Sequence, residues 1–110
     1  MTRTLRQQQS LFSKYLGQLL VWIYEVDGWE ITMGDVYRPD HQGHAPNSTH
    51  YVRLAADLNL FVDGTWQQGD CPQWQMIGRY WKSLDDQNRW GGDFKQVDLN
   101  HVSMEWGGTA

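Results

Sequence analysis

His50 and Asp57, in Ser48-Thr49-His50-Tyr51-Val52-Arg53-Leu54-Ala55-Ala56-Asp57, and His101, in Asp98-Leu99-Asn100-His101, are the residues of this chain whose types could do chemistry together. Two imidazoles and one carboxylate suit Zn²⁺ with one coordination position left open, and an open position is what separates a catalytic zinc from a structural one. If the three converge, one Zn²⁺ per chain is expected. Each residue also has an ordinary reading: a hydrogen-bonded or solvated His50, an exposed strand residue at 101, an Asp57 that caps a turn or pairs with Arg53. His-x6-Asp with a distant His is not a specific pattern by spacing alone.

The elements that must position these residues can be read from periodicity. Leu5, Phe12, Leu16, Leu19, Leu20 and Ile23 fall near one face of an amphipathic helix over about 4–26, ended by Asp27-Gly28. Trp29, Ile31 and Met33 then alternate with Glu30 and Thr32, as in a half-buried strand. From 37 to 48 there is no period and many turn formers, which predicts a long loop of the kind that often carries function. A second strand fits 54–62, with Ala56, Leu58 and Leu60 on one face and Ala55, Asp57, Asn59 and Phe61 on the other, followed by an Asp63-Gly64 turn. Pro72 can open a second helix. Trp74, Ile77, Trp81 and Leu84 recur along it as core contacts. Trp90-Gly91-Gly92-Asp93-Phe94 breaks that pattern, and a last strand covers about 101–106. The order implies α+β, a small antiparallel sheet with flanking helices.

Strand parity constrains the site. In the last strand His101, Ser103 and Glu105 point one way, and Val102, Met104 and Trp106 the other. His50 and Asp57 are seven apart, so an unbroken strand would put them on opposite faces. Either His50 sits on the loop leading in or the chain bends, and the bend is expected near Arg53.

Composition removes several classes of function. A chain of 110 residues makes one domain, 1–110, with a single core. A net charge of −4 with scattered Lys and Arg argues against nucleic acid as a partner. The one cysteine, Cys71, cannot form an internal disulfide and reads as a small half-buried side chain beside Pro72. The apolar run at 19–24 is far too short to span a membrane, and no small-residue cleavage site follows it. The chain is expected to be made and left in the cytoplasm, without membrane insertion. Most of the seven tryptophans are expected in the core or at its edges.

Ser48, His50, Ala55 and Asp57, with Asp98 and His101, match in order the pattern Ser-x-His-x-x-x-x-Ala-x-Asp followed much later by carboxylate-x-x-His. In this the chain resembles the zinc DD-peptidases, which include VanY-type D-alanyl-D-alanine carboxypeptidases, D-Ala-D-Ala dipeptidases and phage L-alanyl-D-glutamate endolysins. The segments 53–61 and 89–94, the Asp63-Gly64 turn and Tyr80-Trp81 are similar to the phage and prophage branch, and the likeness runs over about 34–106.

The resemblance implies a hedgehog/DD-peptidase-like fold in which His50, Asp57 and His101 bind zinc and a water takes the fourth position. It makes Asp98 the general base, Arg38 the group that steadies the substrate carbonyl as it becomes an oxyanion, and Ser48 a residue beside the substrate. Alternatives stay open beside these roles. Asp98 could only orient a ligand or cap a turn, with Glu105 as rival base, and Arg38 could be a plain loop charge. His41 and His44 read as solvent-facing, Tyr51 and Ser103 as candidate substrate contacts, and Trp90 with Gly91 and Gly92 as a cleft wall or a structural turn. Two departures stand out: many members have Gly where this chain has Arg53, and many have an aromatic residue where it has Val102, which should thin the packing behind His101.

The implied activity is hydrolysis of a peptide bond in peptidoglycan stem peptides, by a phage or prophage lysis enzyme of L-alanyl-D-glutamate endopeptidase type. It would act on the cell wall after release across the membrane, and of the oligomeric states, which the sequence leaves open, a monomer is favoured. The alternatives are a D-alanyl-D-alanine carboxypeptidase with the same site and a non-catalytic, zinc-stabilised binding module.

Overall fold

The computed structural model describes residues 2–37 and 48–110. Helix α1, Leu5–Tyr24, begins at a capping box: Thr4 Oγ1 accepts from the Gln7 N–H at 3.2 Å and Gln7 Oε1 accepts from the Thr4 N–H at 2.8 Å. Two of the donors that a helix start leaves unpaired are thereby satisfied. Phe12, Leu19 and Ile23 form its buried stripe. Gly28, at φ +83°, turns the chain into β1, Trp29–Met33, whose Trp29 and Ile31 face inward.

Strand β2, Ala55–Val62, is the spine of the sheet. Its Ala56, Leu58 and Leu60 are fully buried, while Asp57, Asn59 and Phe61 on the other face are half-buried. Asp63 and Gly64 both have positive φ, 50° and 81°, as a tight two-residue hairpin turn requires. The hairpin returns as β3, Thr65–Trp66. Helix α2, Pro72–Ser83, carries Pro in its first turn and buries Trp74, Ile77 and Trp81. β4, Asn88–Trp90, and β5, His101–Met104, complete an antiparallel sheet of order β1-β2-β5-β4, with β3 against β2. The architecture is α+β, with α1 and α2 sharing one core with β2 and β5. In that core the Phe12 and Trp81 rings meet edge-on at 5.7 Å. Trp81 also locks α2 to the sheet, its indole N–H shared between the carbonyls of Arg89 at 2.9 Å and Ser103 at 3.1 Å.

Three details differ from expectation. β3 and β4 are extra strands, two and three residues long, too short to show a period. β5 ends at Met104; Glu105 leaves it and Trp106 makes only an isolated bridge to Thr109. Among the described residues, no helix is long and apolar enough to cross a membrane.

Candidate metal centre

His50 is held by a 3-10 turn, Thr49–Val52, whose start is capped by Ser48: its Oγ accepts from the His50 N–H at 3.2 Å. Gln9 of α1 donates to the Val52 carbonyl at 2.8 Å, and the Leu54 N–H to that of Thr49 at 2.9 Å. Arg53 then takes the left-handed conformation, φ 57°. That single residue is the bend expected between His50 and Asp57. It takes the chain out of the turn and into β2, so the odd-numbered face of the strand can meet an even-numbered histidine. Glycine would enter this region without strain.

Asp57 and His101 are cross-strand neighbours in the β2–β5 ladder. The Asp57 backbone is fixed on its other edge too, its N–H donating to Asp35 O and its carbonyl accepting from the Gly34 N–H, both at 2.7 Å. His101 enters β5 from a turn in which its N–H donates to Asp98 O at 3.1 Å. That turn rests on Gly91, whose carbonyl accepts from the Asp98 N–H at 2.9 Å. A Cβ at Gly91 would collide with the Asp98 carbonyl and crowd His101 Cβ. The Trp-Gly pattern thus has a definite use: glycine at 91 lets the 98–101 turn lie flat against it.

These elements bring His50, Asp57 and His101 together, with one ligand atom from each within 4.8 Å of the others. Asp57 Oδ1 lies 3.2 Å from His50 Nε2 and 3.6 Å from His101 Nδ1. Both histidines are buried, at 1% and 5% exposure. Burial pushes the Asp57 carboxyl up, but His101 and His50 outweigh it and hold the group well below the usual carboxylate range. Even so, Asp57 Oδ1 and His101 Nε2 are buried with no hydrogen-bond partner among the described residues. A buried carboxylate oxygen facing two imidazole nitrogens, without a directed hydrogen bond, is costly by itself. A cation between the three removes that cost, so the residues fit a metal and could hold one. Two nitrogens and one oxygen suit Zn²⁺, though this set accepts other divalent ions.

The other predicted residues fall in different places. Asp98 is exposed and its carboxylate lies outside the three-residue group, although its backbone sits one turn from His101. Glu105, just past the end of β5, is paired through Oε2 with Arg89 at 2.7 Å. Trp90 is no cleft wall: it is 3% exposed, a Cβ at Gly78 or Gly92 would run into its ring, and its indole N–H donates to Leu99 O at 2.8 Å. Tyr51 and Ser103 are buried. Arg38, His41 and His44 lie outside the described residues. The Phe94 ring stands 5.2 Å from that of His101, tilted at 56°. Phe94, Gly34 and Asp35 are supporting residues that the motif did not reveal, because they reach the site through packing and backbone pairing between segments distant in the sequence. Compared with family models and with curated proteins, the chain gives no match.

Proposed function

We propose that the chain is a zinc peptidase that hydrolyses a peptide bond in peptidoglycan stem peptides, as a phage or prophage lysis enzyme of L-alanyl-D-glutamate endopeptidase type. The observation that carries this reading is the convergence of His50, Asp57 and His101 from a 3-10 turn and two paired strands. The order of Ser48, His50, Ala55, Asp57, Asp98 and His101 supports the substrate class by resemblance. His50, Asp57 and His101 would hold a divalent cation, which would supply Lewis acidity and ease deprotonation of a water. Asp98, exposed and one turn from His101, takes a proton from the attacking water and returns it to the leaving amine. Arg38 stabilises the charge that develops on the carbonyl oxygen. Ser48 keeps His50 in place through the cap.

The test is digestion of purified peptidoglycan with zinc-loaded protein, read as new amino groups and by mass spectrometry of the fragments. Loss of the stem beyond its first alanine is expected, and loss of only a terminal alanine would point instead to a carboxypeptidase. No release, with His50→Ala and Asp98→Ala indistinguishable from the parent, overturns the peptidase. The three ligands would serve equally in a second reading, a non-catalytic zinc-stabilised module, since the side chains that converge are those of the metal group. Zinc binding without hydrolysis of any stem peptide would select it.

A further inference from the structure

On the edge of β2 that pairs with β5, the sheet has a gap. β5 pairs with β2 as far as Asp57, and β3 takes up the same strand again at Phe61. Both rims of the gap are pinned to β2: the Leu58 N–H donates to Asn100 O at 2.8 Å, and the Gln67 N–H donates to Leu60 O at 2.8 Å. The indole N–H of buried Trp74 holds Gln67 from below, at 3.0 Å from its carbonyl. Between the rims lies a cavity of about 290 Å³ lined by Asn59, Trp66, Gln67, Val97, Asp98 and Asn100, among others. Because each rim is already hydrogen-bonded, a ligand would meet a groove whose walls need little ordering, which keeps the cost of binding low.

Its chemistry selects an occupant. Trp66 is half exposed, and its ring is backed by Phe61 at 6.4 Å and 21°, which holds a flat aromatic surface toward solvent. Val97, 65% exposed, adds a second apolar contact. The rest of the lining is rich in carboxamides, from Asn59, Gln67, Gln68 and Asn100. Among the described residues the lining holds no Lys or Arg, and its one charge is the Asp98 carboxylate. Such a groove suits a neutral ligand with an apolar face and several hydrogen-bonding groups. A single exposed Trp on an edge strand would need no ligand to explain it. Here, however, it stands at the rim of a pinned cavity with four side-chain amides beside it.

We infer that this groove binds one ring of a neutral N-acetylated sugar, stacked on Trp66, with its acetamido group among the side-chain amides and its methyl toward Val97. The inference rests on the peptidoglycan reading for the origin of that sugar, and it sharpens that reading. Asn59 follows Asp57 on the same face of β2, about 7 Å further along the strand. A stem peptide is joined to its glycan through its first residue. A sugar held next to the metal group therefore presents a bond near the glycan end of the stem, in preference to the distant terminal D-Ala-D-Ala.

The experiment is an NMR titration of the full, zinc-loaded chain with N,N′-diacetylchitobiose, using cellobiose, which lacks acetamido groups, and an acidic tripeptide as comparisons. Saturable shifts of the Trp66 indole and of the Asn59 and Asn100 side-chain amides are expected with diacetylchitobiose only. Trp66→Ala should weaken the interaction about tenfold, and Trp66→Phe should restore most of it. No saturable shift, equal binding of cellobiose, stronger binding of the tripeptide, or a Trp66→Ala variant that is folded and binds like the parent overturns the proposal. The readout needs no hydrolysis. Sugar binding without peptidase activity leaves the groove standing and removes the proposed reaction, whereas hydrolysis without sugar binding does the reverse.

Discussion

Asp57 and Asp85 are both carboxylates removed in part from solvent and held below the ordinary range by their neighbours, yet their surroundings are built differently. At Asp85, burial raises the pKa and is outweighed by Arg3, the Gln87 N–H and Tyr15. Each of those groups donates: Arg3 Nη2 at 2.9 Å, Tyr15 OH at 3.0 Å, the Gln87 N–H at 2.9 Å. Every requirement of that carboxylate is met by the chain, so it works as a clamp between the segment before α1 and the turn after α2. At Asp57 the neighbours are two buried imidazoles, and Oδ1 finds no hydrogen-bond partner among the described residues. Donors that satisfy a carboxylate mark structure. A buried carboxylate oxygen left without a directed donor beside two imidazoles marks a place for a cation.

The largest expected effect separates the two sites directly. Zinc at a hundredfold excess over its dissociation constant should stabilise the parent protein by about 2.7 kcal/mol, or roughly 10 °C in thermal unfolding. Asp57→Ala should lose this zinc-dependent shift entirely. Asp85→Asn should keep it while melting lower with and without zinc. If Asp57→Ala retained the shift, the distinction between the two carboxylates would collapse.

Next in size is Gly91→Ala, where the added methyl meets the Asp98 carbonyl and crowds His101. A cost of roughly 1–3 kcal/mol is expected from overpacking, with weaker zinc binding because the 98–101 turn must move. Urea unfolding together with zinc titration reads both effects. A stable variant with parental zinc affinity would show that this turn does not position His101.

Asp85→Asn itself should cost about 1 kcal/mol, a modest figure because Arg3 is more than a third exposed and its pairing is screened. The pH dependence has a definite sign. Since the folded pKa lies below the unfolded one, near 4, the contribution of Asp85 is fully present above about pH 4 and is lost as pH falls through the lower folded value. Parent and variant stabilities should therefore converge below about pH 4, measured by denaturant unfolding of the zinc-free proteins. A constant difference down through that range would mean that the clamp is not ionic.

Arg53→Gly is the smallest. Relief of left-handed strain is opposed by the greater freedom of glycine in the unfolded chain and by loss of the Arg53 stack on Tyr37, at 4.1 Å. The net change should stay within about 1 kcal/mol, with zinc affinity unaltered. A large loss of affinity would give the Arg53 side chain a role beyond the backbone bend.

Much of this arrangement follows from local patterns. The capping box at Thr4, the alternation in β1 and β2, Asp63-Gly64 and Pro72 each encode their own geometry within a few residues. Parity along 54–62 placed Asp57 opposite the core face, and the mismatch with His50 demanded a break, which Arg53 provides. What periodicity could not give was short or long-range. β4 is three residues beside a glycine pair, and the support of the 98–101 turn by Gly91 joins segments that no window spans. Glu105 had the right parity, but β5 ends before it and it pairs with Arg89 on the neighbouring strand. Trp90 looked like a cleft aromatic because a bulky residue beside glycines reads equally well as core, and only packing against Gly78 of α2 distinguishes the two.

The central claim is that His50, Asp57 and His101 form one metal centre, and X-ray absorption at the zinc edge tests it most directly. Protein loaded with one equivalent of zinc should show two imidazole nitrogens and carboxylate oxygen at about 2.0–2.2 Å, with a further light-atom ligand, and the two-imidazole signature should fall to one in His101→Ala. Zinc that does not bind at one equivalent, or whose spectrum is unchanged in His101→Ala, would contradict the account.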